Sequence, residues 1–367
     1  MEPIPMKGRV RRIFRNTKDK VDLIVIQTAT DPYVDRTYFY VTGLAHGVME
    51  GTTAVLYPDG SVKILTSSLE AESAKTSGLP VTILKSREDR EKKLKRLLRG
   101  AKRIGIHATE MTHQSYKDIT KKAPKAEFVD VSDAIVKARL VKDSKELKRM
   151  SKAAEIASEV AEEIIPFIDI GKKEYEIGAE LEHLMAKKGS TGPFFDTIAS
   201  SGPNSAQPHY TVGDRKIQKG DFIVLDFGAT YMKYGSDITR TYVVGKATKR
   251  MRSMYETVSK AQQRALAKVK AGVKGGEVHL AADKYIGRTK FKGRFIHGIG
   301  HSLGLAAHDG SGLSPALDLT LEKNMVFTVE PGVYIPGYGG VRIEDDVVVK
   351  KGGYEMLTSA RRDLVEI

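Results

Sequence analysis

The chain has 367 residues, 41% hydrophobic and 29% charged, and a formal charge of +14 from 60 Lys and Arg against 46 Asp and Glu. That length is long for one core and predicts two domains, and the composition is that of a globular protein rather than a disordered or fibrous one. Cysteine is absent, which excludes disulfides, thiolate nucleophiles and thiolate metal sites, so any metal must be held by oxygen and nitrogen.

No stretch approaches the roughly 18 apolar residues needed to cross a bilayer, and the first residues lack the apolar centre of a secretion signal. The expectation is a cytoplasmic protein without a membrane partner. The positive excess admits nucleic acid or an acidic substrate. However, much of that charge lies in mixed helices such as residues 86–100, which places Leu94, Leu97 and Leu98 on one side and reads as a solvated amphipathic helix, so nucleic acid is not the expected partner.

Residues 1 to about 140 alternate β-rich and helical runs, which predicts an α/β domain. Strands are expected at 21–26, 37–41, 52–56, 62–65, 81–84 and 104–106, and helices at 69–77, 88–99 and 112–122. His46, His107 and His113 are scattered here without other ligand types nearby and read as surface or structural residues. Near residue 137 the pattern changes. Asp143 followed by Glu146 is a helix-start signature, and apolar residues then recur at helical spacing until Pro166. Further helices are expected at 174–188, 249–269 and 277–291. Strands are expected from 194–199 onward, at 325–330 and at 340–349.

The run Ile223-Val-Leu-Asp226-Phe-Gly followed by Asp237-Ile-Thr-Arg-Thr241 reads as a hairpin. If the hairpin is symmetric about its middle, Asp226 and Asp237 face each other with Cβ atoms about 5 Å apart. Facing carboxylates repel and call for a shared proton, a cation or metal ions. A second stretch repeats the pattern, with Glu330 closing one strand and Glu344 carried by the next across a Gly- and Pro-rich link. Between the halves lie His297, His301 and His308, with glycines whose spacing fits no phosphate loop and which let backbone pass close to a crowded site. Four carboxylates and an imidazole suit a pair of divalent ions such as Mn, Co, Fe or Zn, and a metal pair of this kind does hydrolysis. A single Ca site is the structural alternative.

With Asp226, Asp237, His301, Glu330 and Glu344 in this order, the chain resembles the pita-bread metallopeptidases: methionine aminopeptidase, aminopeptidase P and prolidase. The matching motifs are residues 201–209, Gly220 to Ala229, Ser236 to Thr241, His297 to His308, Val329-Glu-Pro-Gly and Arg342-Ile-Glu-Asp-Asp. The resemblance implies an α/β amino-terminal domain, residues 1–140, and an α+β pita-bread (creatinase/aminopeptidase) catalytic domain, residues 141–367. It implies two divalent ions, Mn or Co ahead of Zn or Fe. Asp226 would chelate one ion, Asp237 and Glu344 would bridge both, and His301 and Glu330 would complete the second site. Glu330 would also move a proton, and His209 and His308 would flank the substrate. Arg342 lies on the strand face of Glu344 and is placed to pair with Asp237 or a neighbouring carboxylate.

The amino-terminal region, with Tyr38-Phe-Tyr-Val-Thr-Gly-Leu as a strand-and-turn segment, resembles the creatinase and prolidase type and not methionine aminopeptidase. That implies an Xaa-Pro dipeptidase, with Xaa-Pro aminopeptidase acting on longer peptides as the alternative, a proline-containing peptide as substrate and a homodimer. One departure favours the alternative: prolidases of this type place a carboxylate-gripping Arg four residues after the second His, where this chain has Gly312, and Asp309 follows His308. A pita-bread protein that binds a partner without catalysis is the competing class; such relatives lose ligands, and all five are present here.

Overall fold

The computed structural model describes residues 6–367. It divides into two compact units, Met1–Arg139 and Leu140–Ile367. Among the described residues no helix is long and apolar enough to cross a membrane.

The first unit runs α1 (Met6–Asn16), β1 (Leu23–Gln27), α2 (Thr37–Thr42), β2 (Thr53–Leu56), β3 (Val62–Ser67), α3 (Ala71–Lys75), β4 (Val81–Leu84), α4 (Arg87–Leu98), β5 (Arg103–Ile106), α5 (His113–Thr120), β6 (Glu127–Asp130) and α6 (Ser132–Leu140), whose last residue begins the second unit. Its six strands form one sheet ordered β4-β3-β2-β1-β5-β6. The β1–β2 and β2–β3 pairings are antiparallel, and β4, β5 and β6 join in parallel. One core gathers Leu23, Val25, Val55, Leu65 and Ile104 from the strands with Leu94, Leu98 and Ile119 from the helices. The basic run is helix α4, capped by the Ser86 hydroxyl accepting from the Asp89 N–H, with Leu94 and Leu98 buried.

The expected strand at 37–41 is instead helix α2. Its aromatic and β-branched residues carry strand propensity, but all six are buried, and burial on every side decides against a half-exposed strand. Asp35 Oδ1 accepts the Thr37 N–H at 2.8 Å at the helix start. Gly43, at φ 72°, ends it by donating to Phe39 O. Helices α1 and α6 and strand β6 were not among the expected elements. His107 is a buried structural histidine, its Nδ1 2.9 Å from Asp35.

The second unit opens with α7 (Ser144–Glu163) and α8 (Glu174–Lys187). The Asp143 carboxylate accepts the N–H groups of Lys145 and Glu146, and the Glu146 carboxylate accepts that of Asp143. Strands β7 (Ile198–Ser201), β8 (Phe222–Phe227), the short β9 (Thr230–Tyr231) and β10 (Tyr234–Gly235), and β11 (Ile238–Val243) precede α9 (Lys249–Leu266) and α10 (Gly275–Ile286). Then follow β12 (Val326–Val329), β13 (Gly332–Ile335), β14 (Gly339–Arg342), β15 (Asp345–Val349), β16 (Tyr354–Met356) and β17 (Val365–Glu366). The sheets are ordered β17-β11-β8-β7 and β12-β15-β16, with β13 and β14 pairing as a ribbon.

Strand alternation decides which residues reach the site. Ile223, Leu225 and Phe227 of β8, with Ile238 and Tyr242 of β11, join the core under α7 and α8. The opposite parity, Asp226 on β8 and Thr239 and Thr241 on β11, therefore faces away from those helices.

The two aspartates are not directly opposite one another. Asp226 pairs with Thr239, and the same count runs through Tyr231↔Tyr234 at the tip. The turn is Met232-Lys233, both at positive φ, so the hairpin axis falls one residue later than a midpoint between the aspartates. Asp237 is thus the same-face diagonal neighbour of Asp226. In the other ribbon Val329↔Asp345 and Gly332↔Arg342 keep one register, which sets Glu330 across from Glu344 in the interruption between them.

Candidate metal centre

Asp226 sits within the β8 ladder, whereas Asp237, Glu330 and Glu344 each stand where a ladder is interrupted, their backbone held by a neighbouring segment instead. The Asp237 N–H donates to Asp346 Oδ2 at 2.8 Å, the Glu344 N–H to Thr239 O at 3.1 Å and the Glu330 N–H to Ile299 O at 2.8 Å. The histidine loop lies on β12: the His301 N–H donates to Thr328 Oγ1 at 3.0 Å, and the Thr328 N–H to His301 O at 2.9 Å. Gly300 makes this approach possible, since a Cβ there would sit 2.0 Å from Thr328 O.

Asp226, Asp237, His301, Glu330, Glu344, His209, His308 and Arg342 all line one cavity of about 410 Å³, with Phe195, Ile198 and Pro208 among its apolar wall. Asp237, His301 and Glu344 each offer a ligand atom within 4.8 Å of the others. His301 Nε2 is 3.4 Å from Glu330 Oε1 and 3.7 Å from Asp237 Oδ2. Asp226, Asp237 and Glu344 are buried, whereas His209 and His308 are exposed on the cavity wall.

Arg342 meets Asp226 and not Asp237. Its Nη2 pairs with Asp226 Oδ2, its Nε donates to Thr239 Oγ1 at 3.1 Å, and its Nη1 donates to Tyr334 Oη at 2.9 Å. The Thr239 hydroxyl in turn donates to Glu344 Oε2 at 2.5 Å. Tyr334 Oη also lies 2.9 Å from His297 Nε2. Thr239 and Tyr334 were not singled out in the sequence. Thr239 has the period-2 signal of lying two residues from Asp237, and Tyr334 lies two residues beyond the Glu330-Pro-Gly motif.

Four carboxylates around one guanidinium leave the cavity strongly negative. Burial and the mutual repulsion of the acids push Asp237 and Glu344 well above the usual carboxylate range. Burial pushes Glu330 up to about 7, against the downward pull of Arg342. Burial and the neighbouring His308 lower His301 to about 4, leaving a neutral ring with a lone pair to give. Asp226 Oδ1 and Asp237 Oδ1 are buried without a hydrogen-bond partner. Buried, unpartnered carboxylate oxygens are costly unless a cation takes them, and this oxygen and imidazole donor set fits divalent ions.

Residues 148–351 match the model of metallopeptidase family M24, and residues 9–141 match the creatinase/prolidase N-terminal domain. An Xaa-Pro dipeptidase of Pyrococcus horikoshii is 37% identical over 98% of this chain and 99% of its own. The X-Pro aminopeptidase of Thermotoga maritima superposes with a TM-score of 0.90 at 32% identity, covering 98% of this chain and 100% of that one. An Xaa-Pro dipeptidase from Bacillus anthracis gives a TM-score of 0.89 at 34% identity, covering 99% of both chains.

Proposed function

From the premise that this chain belongs to metallopeptidase family M24, we propose that it is an Xaa-Pro dipeptidase, hydrolysing the bond before proline. The observation that carries the reading is the negative cradle with its buried, unpartnered Asp226 and Asp237 oxygens. Asp226, Asp237, His301, Glu330 and Glu344 would hold two divalent ions, Mn or Co in preference to Zn or Fe. When bound, these ions supply Lewis acidity to the scissile carbonyl.

The chain's own residues do the rest. Glu330, held by the Thr328 hydroxyl at 3.2 Å on the cavity wall, takes up and returns a proton during hydrolysis. His209 and His308, exposed on the cavity wall, orient the carbonyl and the charge that develops on its oxygen. Arg342 fixes Asp226 and, through Thr239, the outer oxygen of Glu344. The apolar wall of Phe195, Ile198 and Pro208 offers a surface for a proline ring, whose missing N–H and fixed φ suit no extended-backbone peptidase site.

A second reading, Xaa-Pro aminopeptidase, is favoured by Gly312, which brings no guanidinium to a dipeptide carboxylate, and by the likeness to the Thermotoga enzyme. One assay separates the two. Chelator-stripped protein is reloaded with Mn or Co and offered Xaa-Pro dipeptides and Xaa-Pro-Yaa tripeptides. Dipeptide cleavage is the expected outcome; cleavage of tripeptides alone overturns the dipeptidase reading. A homodimer is proposed on the creatinase/prolidase-type amino-terminal match, and light scattering on the eluted protein tests it.

A further inference from the structure

Gln262 lies on the buried stripe of α9, in line with Val258, Ala261 and Ala265, and is 2% exposed. A polar amide in an apolar stripe is costly unless its hydrogen bonds are made. They are made to an unusual set of partners. Gln262 Nε2 donates to Val329 O at 3.2 Å, to Ile343 O at 3.3 Å and to Asp345 Oδ2 at 2.9 Å. Val329 immediately precedes Glu330, and Ile343 immediately precedes Glu344. All three partners are acceptors, which fixes the amide with its nitrogen toward them.

The third partner belongs to a larger buried network. Asp345 Oδ1 accepts from Arg240 Nη2 at 2.7 Å and from Thr358 Oγ1 at 2.8 Å. Arg240 Nη1 donates to Glu344 O at 2.6 Å and to Thr239 O at 2.9 Å. The line Gln262, Asp345, Arg240 therefore grips the backbone on both sides of Glu344 and just before Glu330. The two carbonyls that Gln262 holds lie at the interruption between the β12–β15 and β13–β14 pairings, where the backbone bond across the strands is the long one from Ile343 N–H to Pro331 O at 3.4 Å.

We propose that Gln262 is a positioning residue for the metal centre, setting the distance between the Glu330 and Glu344 carboxylates by clamping the strands that carry them. The inference rests on the two-metal reading given above. It touches neither substrate nor metal, so its signature is a loss of metal affinity in a folded protein. Supporting partners of metal ligands commonly govern about 10- to 100-fold in affinity.

The test is manganese(II) titration of the full-length chain by calorimetry, after chelation, for wild type and Gln262→Met. Methionine keeps the length and packing of the side chain but donates nothing. The clamp predicts manganese affinity lowered at least about tenfold, kcat lowered in parallel and KM for the peptide within about twofold. Should Gln262→Met not fold, Gln262→Asn, which keeps the amide but withdraws it by one methylene, is titrated instead with the same expectation. Unchanged manganese affinity beside a lowered melting temperature of the metal-free variant overturns the clamp and makes Gln262 a purely structural residue. Wild type that takes up no manganese overturns the two-metal reading itself, so the two failures are distinct.

Discussion

At the scale of single residues, the site sets acids against one another and leaves a cation to relieve them. Asp237→Asn removes a negative charge from the centre of that arrangement, and metal-dependent kcat/KM is expected to fall about a thousandfold or more. Near-wild-type turnover by the variant would reject the proposed bridging role. Gly312 offers a test of specificity. A Cβ there would meet Gly300 O at 3.3 Å, a tight contact that asks the backbone to yield by a few tenths of an ångström. Gly312→Arg should lower KM for Xaa-Pro dipeptides relative to tripeptides, read by comparing the two substrates on one preparation. In the first unit, burial works to raise Asp35, but His107, the Thr37 N–H and the charge of Arg139 together outweigh it and the net shift is downward. A carboxyl with a depressed folded pKa contributes stability above its unfolded value, near pH 4, and loses it as pH falls through the folded value. Asp35→Asn should therefore cost about 3 kcal/mol at pH 7, and the gap to wild type should close below about pH 4 in urea titrations.

At the scale of elements, the ribbons were legible because acids ended apolar runs, and α7 because Asp143 and Glu146 announced its capping box. Register was less legible. Placing Asp226 opposite Asp237 assumed a turn centred between them, whereas Met232 and Lys233 take the positive φ that Asn and Gly usually supply, and no sequence signal marks them. Helix α2 was hidden for a different reason: strand propensity describes a half-buried surface, and this segment has none. Arg342 and the five candidate ligands were visible as residue types in order, but Thr239, Tyr334 and Gln262 became visible only once strands from distant parts of the chain were brought together. The loop bearing His301 depends on its closest approach. Gly300→Ala would press a methyl into the Thr328 carbonyl, and lifting this loop from β12 should cost about 2 kcal/mol or more and weaken metal uptake, measured by unfolding and by manganese titration.

At the scale of the whole molecule, the second unit is two ribbons that each bring their acids to one cavity, so a cation there ties distant stretches of sequence together. Ligand held by the folded chain alone stabilises it by about 2.7 kcal/mol at a hundred times its dissociation constant. Saturating manganese should raise the melting temperature of wild type, and chelator should reverse it; Asp237→Asn should show little of either. The interrupted ladders have a kinetic counterpart. The N–H of Asp237 is held by Asp346, that of Glu344 by Thr239 and that of Glu330 by Ile299, each partner lying outside the acid's own hairpin. Exchange of these three amides with deuterium therefore requires segments remote in sequence to part, not a hairpin to fray. The rates for Asp237 and Glu344 measure how often the two ribbons separate and that for Glu330 how often the histidine loop lifts away, and metal loading should slow all three together.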